Sequence, residues 1–269
     1  MFFNDFNASD LACENQRCDR GGKMESTFSE MGMMIYKTTF DPKEKNGLLP
    51  RDAYYGIECG PIWQMDRIKA ECVTQIVAQK LMLLGKTIAE KKNDICVMVA
   101  GIGNRQMTAD AIGPESADRI EVRIKAIDGG ARVCVLSPGV PGQTGMCTAS
   151  VIKAAALSCG ADLVLAVDSL RASSPRRLGA FIQLSNCGIS PGSGVYSSAK
   201  PVNYSSIGVP VIAIGIPTVI GVSSIITNGE DNEIAANDMI VTSRECDAVT
   251  HIGASLIAEA INRALLPNR

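Results

Sequence analysis

Between residues 95 and 214 the chain alternates short apolar runs with helical or glycine-rich segments, and this limits the possible folds more than any other feature. The runs fall at 95–100, 133–136, 163–167, 181–184 and 209–214. Each has the length of a strand and is too evenly apolar to keep one face in water. Strands of that kind belong in a sheet covered on both sides, which is the usual setting of parallel strands. Helical segments lie between and around them. Ile68, Cys72, Ile76, Val77 and Leu81 recur at helical spacing within 63–84, and Gly85 suits the end of that helix. Further helices are expected after Gly113-Pro114-Glu115, over 149–158, and over most of 240–265. The stretch 32–40 could add a strand, 41–50 reads as a charged loop, and residues 1–30 read as a polar, mobile leader. The expected architecture is one α/β domain, a mainly parallel twisted sheet with helices on both faces.

Composition excludes several classes. The 269 residues carry a net charge of -2, so no basic excess favours a phosphate backbone, and direct nucleic-acid binding is not expected. No run approaches the length that spans a bilayer, and the N-terminus lacks the basic and apolar regions of a secretory signal, so a cytoplasmic protein without a membrane partner is expected. Ten cysteines then sit in a reducing compartment as free thiols. They form no C-x-x-C pair and the chain has one histidine, so no metal or other cofactor is expected. Cys96 and Cys134 lie in apolar runs and read as small buried hydrophobes.

In open α/β sheets ligands bind beyond the carboxyl ends of the strands. Three segments put polar residues there. The first, Gly101-Ile-Gly-Asn104-Arg105-Gln-Met-Thr-Ala-Asp110, offers Asp110 either as a functional acid or as the cap of the next helix. It departs from G-x-G-x-x-G at Gln106, so a dinucleotide site is poorly supported. The second, Val164-Leu-Ala-Val-Asp168, puts an acid directly after an apolar strand; it is either functional or bonded to a neighbouring loop. The third is the Gly/Pro-rich stretch through Gly192, Ser193 and Gly194, with 138–145 as a companion; both could wrap an extended peptide or be plain turns. Two carboxylates at neighbouring strand mouths can act as an acid–base pair, because close carboxylates do not both ionise readily. A serine or cysteine nucleophile would have to use His251, which falls in the C-terminal helix.

Several long strings resemble the germination protease family: 101–114, 138–145, 166–170, 182–185, 191–195, 208–219 and 261–267, in the family's order from about residue 9 onward. The resemblance implies an atypical aspartic endopeptidase of spore-forming bacteria with a fold like that of hydrogenase maturation proteases. It also implies small acid-soluble spore proteins as substrates, cut after acidic residues during germination in the spore core. It further implies a zymogen that cleaves off its own leader, and a homotetramer. The two aspartates proposed to be essential in the family match Asp110 and Asp168. Ser9-Asp10-Leu11-Ala12-Cys13-Glu14 is similar to the self-processing site, with the cut between Asp10 and Leu11, leaving 1–10 as pro-segment and 11–269 as the peptidase. On position, Arg105 and Arg171 are candidates to receive the acids flanking that cut, with Asn104 beside them. The chain departs from the family pattern at 169–174, at Asn186 and Ser190 where the family has Asp and His, and at 196–200. Two other readings stay open: a metal-dependent maturation-type protease on the same fold, and a family member that binds peptides without cutting them.

Overall fold

All five apolar runs become strands of one sheet. The structure, a computed structural model, describes residues 9–14, 23–41, 52–89, 94–126, 130–191, 200–225 and 239–266. Its strands are β1 (Met24–Glu30), β2 (Met33–Phe40), β3 (Asp52–Glu58), β4 (Cys96–Gly101), β5 (Arg132–Leu136), β6 (Leu163–Ala172), β7 (Phe181–Ser185), β8 (Val211–Gly221) and β9 (Ile240–Thr242). The helices are α1 (Arg67–Ala89), α2 (Ile112–Ala117), α3 (Pro141–Thr144), α4 (Thr148–Cys159), α5 (Tyr204–Ile207) and α6 (Cys246–Leu265).

The α/β class holds, and the sheet is mixed. Its order is β1-β2-β3-β7-β8-β6-β4-β5, with β9 on the far end of β8. Parallel pairing is confined to the four strands β5, β4, β6 and β8. Strands β7, β3, β2 and β1 extend the sheet antiparallel from β8. Short connections account for part of this, since parallel strands need a long crossover. Met31 and Gly32, at φ 48° and 78°, close the β1–β2 hairpin with two left-handed residues, as a twisted two-residue turn requires. The region read as a mobile leader therefore contains a strand, β1. That strand is exposed along almost its whole length, so it has no apolar pattern to betray it.

Helices cover both faces. On one, Ile76 and Leu84 of α1 and Ile257 and Ile261 of α6 pack with Val99 and Ile214 of the sheet. On the other, Ile152 of α4 and Ile207 of α5 pack on Met98, Ala100 and Val164. α1 does not end at Gly85 but runs on to Ala89. An interior glycine costs a helix about 0.5–1 kcal/mol, and here the site has room for a side-chain carbon, which would meet Ile212 and Leu163 only at 3.9 and 4.0 Å. Ile68, expected on the apolar stripe, is exposed. No described helix is long and apolar enough to cross a membrane.

Candidate active site

β4 ends at Gly101, and the chain turns through Gly103 into a single 3-10 turn, Thr108–Asp110. Two threonines from distant elements hold that turn. Thr218 of β8 donates to the Ala109 carbonyl, and Thr250 of α6 donates to that of Thr108 at 2.9 Å. The Asp110 carboxylate accepts the Asn104 backbone N–H at 2.7 Å. It does not cap α2, whose N-cap is Ala111 with no side-chain bond. Gly103 sits at φ 130°, and a Cβ there would overlap the Asp110 carbonyl oxygen. The glycine is what lets the turn fold back to the end of β4.

Asp168 lies where β6 runs on past the end of β4. It is buried, and its Oδ1 accepts the Ser169 N–H at 2.9 Å. Asp110 and Asp168 face one cavity of about 570 Å³. Asn104, Val140, Pro141, Ser190 and Arg171 also line it, so the loops 138–145 and 189–191 border the two acids. Burial pushes the Asp168 carboxyl well above the usual carboxylate range, and the charges of Asp110 and Asp10 push the same way. Burial also raises Asp110, partly offset by the Asn104 N–H. Both carboxyls are thus biased toward holding a proton, and their closeness keeps them from both ionising readily.

The segment Ser9–Glu14 lies across this site. Arg171 and Asp10 share two bonds: Asp10 N–H donates to the Arg171 carbonyl at 3.0 Å, and Arg171 N–H donates to the Asp10 carboxylate at 2.8 Å. Ile102 N–H donates to the Val167 carbonyl, so by the alternation of a strand the Arg171 backbone groups face the edge that β4 has left. Gln183 of β7 grips the two peptides that flank Leu11. Its Nε2 donates to the Asp10 carbonyl at 2.8 Å and its Oε1 accepts from Ala12 N–H at 2.7 Å. Leu11 is fully buried against Leu170, Ala172 and Phe181. Glu14 accepts from the N–H and hydroxyl of Ser173 and from Ser174 N–H, and pairs with Arg177 at 3.1 Å.

Arg177, Gln183 and Ser173 were not expected from the sequence. Of the expected cations, Arg105 pairs with Asp118, and Arg171 meets Asp10 through its backbone while its guanidinium lies against Gly221. Asn104 bridges Gln106 N–H and Asp110. His251 is exposed beside Arg119 and Glu115. Gly192, Ser193 and Gly194 lie outside the described residues.

A family model described as germination protease matches residues 8–234. The chain belongs to the germination protease family. Among curated germination proteases, that of Priestia megaterium is 33% identical over 83% of this chain and 64% of its own length. That of Clostridium tetani is 38% identical over 64% of this chain and 54% of its own. The chain thus spans less than two thirds of these two relatives. The Clostridium acetobutylicum germination protease is 27% identical over 97% of this chain and 93% of its own length. Among solved structures, the [NiFe] hydrogenase maturation protease HycI of Thermococcus kodakarensis is similar over 61% of this chain and 91% of its own, with a TM-score of 0.36 and 20% identity. One departure from the germination protease pattern has a structural role. Asn186 is buried, and its Oδ1 accepts Ala53 N–H at 2.7 Å, tying β7 to β3. An amide serves that bond as a carboxylate would. Ser190, a second of these departures, lines the cavity.

Proposed function

We propose that the chain is an aspartic-type endopeptidase that cuts after an acidic residue and processes its own leader between Asp10 and Leu11. The observation that carries this is the seating of Ser9–Glu14, with Asp10 on the wall of the cavity that Asp110 and Asp168 share. The scissile carbonyl is the one Gln183 holds. Asp110, ionised, takes a proton from the attacking water. Asp168, protonated, gives its proton to the leaving nitrogen of Leu11. Gln183 Nε2 stabilises the oxyanion as it forms. Small acid-soluble spore proteins, the spore core and a homotetramer belong to the same reading.

Mass spectrometry of the purified chain, alone and with a small acid-soluble spore protein, tests it. Cleavage at Asp10–Leu11 and after acidic residues of the added protein is expected, and neither should occur in Asp110→Asn or Asp168→Asn. A wild-type chain that stays intact and leaves the added protein uncut from acid to neutral pH would overturn the proposal.

Two residues can be separated by kinetics. Gln183→Glu keeps the acceptor for Ala12 and loses the donor to the Asp10 carbonyl. It should lower kcat by about 10²–10³-fold, the usual effect of removing one oxyanion donor. Arg177→Ala removes the charged partner of a buried Glu14. A charge-assisted bond contributes about 1.5–3 kcal/mol, so KM for a Ser-Asp-Leu-Ala-Cys-Glu peptide should rise roughly 10–100-fold with kcat little changed. The variant should also lose the preference for glutamate over glutamine at the last position, and equal kcat/KM for the two peptides in the wild type would sink this assignment. Arg105→Ala should leave that preference intact.

A further inference from the structure

At the opposite end of the sheet from the acids, three thiols that lie far apart in sequence come together. Cys96 is the first residue of β4, Cys134 lies in β5, and Cys159 is the last residue of α4. Their sulfurs all lie within 4.8 Å of one another, with Cys96 and Cys134 3.9 Å apart. At a metal–sulfur distance of about 2.3 Å, three thiolates around one ion stand about 4 Å from each other. The fold has therefore set the spacing without any ion. Along β4, Cys96 is five residues before Gly101, roughly 16 Å at the rise of a strand. The cluster is thus separate from the acid cavity.

We infer that Cys96, Cys134 and Cys159 form a binding site for one thiophilic d10 cation of the zinc or copper(I) kind. Thiolates select such ions over hard cations. Cys134 and Cys159 are only half-buried, so an ion has a way in. α4 ends at Cys159, and the negative end of a helix favours a cation. Arg132 donates to the Cys159 carbonyl at 3.4 Å and can offset the surplus charge of three thiolates. Asp94 and Asp162 are the nearby acids. The first lies 3.9 Å from the Arg132 guanidinium, and the second accepts Cys96 N–H. A metal-bound cysteine is a thiolate, so each free thiol gives up its proton on binding. Binding forms three metal–sulfur bonds and releases those protons to solvent, with no change of oxidation state.

The test uses the full chain, reduced with a phosphine and titrated separately with Zn(II) and with Cu(I). Native mass spectrometry should show one retained ion. Peptide mapping after alkylation should show Cys134 and Cys159 protected by it. Cys134→Ser and Cys159→Ser should each weaken retention at least tenfold, while Cys72→Ser leaves it unchanged. Zn(II) retention assigns a three-thiolate site completed by water, and Cu(I) retention alone assigns a trigonal one. Failure to retain either ion, or retention unchanged in the double variant Cys134→Ser/Cys159→Ser, overturns the inference. Because both substituted positions are half-buried, the variants should fold, and circular dichroism checks this.

Discussion

Asp168→Asn should abolish detectable processing, lowering the cleavage rate by about 10²–10⁴-fold, the usual contribution of a positioned acid or base, and should also make the protein more stable at neutral pH. Both effects have one origin. The carboxyl of Asp168 is buried beside Asp110 and near Asp10, and its pKa is raised well above the usual value. In the unfolded chain an aspartate loses its proton near pH 4. The native state therefore holds a proton that the unfolded state has released. Stability from this group is fully present below the unfolded pKa and is lost as pH rises toward the folded one. An asparagine has no proton to lose and no charge to desolvate. Thermal melts of the two proteins should converge in acid and separate at neutral pH, with the variant higher. Equal melting temperatures at neutral pH, or a variant that still processes, would contradict the assignment. Asp110→Asn should lose cleavage to a similar extent with a smaller gain, because its carboxyl is only half-buried and accepts the Asn104 N–H.

Gly103→Ala should damage the same site through the backbone. At φ 130° an L-residue is strained, and the added methyl would overlap the Asp110 carbonyl oxygen. Strain and overlap together should cost about 3 kcal/mol, roughly 6–12 °C in Tm for a chain of this size. Cleavage should fall even at temperatures where the variant is folded, because relief requires the Asp110 turn to move. Gly85→Ala in α1, away from the cavity, is the control: a Cβ there meets nothing closer than 3.9 Å. A Gly103→Ala protein with unchanged Tm and rate would show that the turn is not as tightly set as described.

Asp168 was legible in the sequence because it directly follows four apolar residues, and Asp110 because it lies in the glycine-rich segment that leaves an apolar run; in this fold both positions open on the cavity. The residues that grip the Ser9–Glu14 segment were not. Gln183 sits within an apolar run and gives no local sign of its two bonds, and Arg177 is one of two adjacent arginines in a loop. Position along the chain favoured Arg105 and Arg171, because it cannot say that Asp118 already occupies the first. The parallel strands announced themselves by continuous apolarity. β1 could not, since almost its whole length faces water, and the bonds it makes to β2 are backbone bonds that any residue can form. The three-thiol cluster was hidden for a related reason. Spacing rules detect ligands on one turn or hairpin, and these come from three separate elements.

The threonine ties of the Asp110 turn also set a time at which the acids can be complete. Thr218 is translated 108 residues after Asp110, and Thr250 lies in α6, the last described element to leave the ribosome. Until that helix has docked, the turn lacks one of its two threonine anchors. A chain truncated before α6 lacks the Thr250 tie to the turn that carries Asp110.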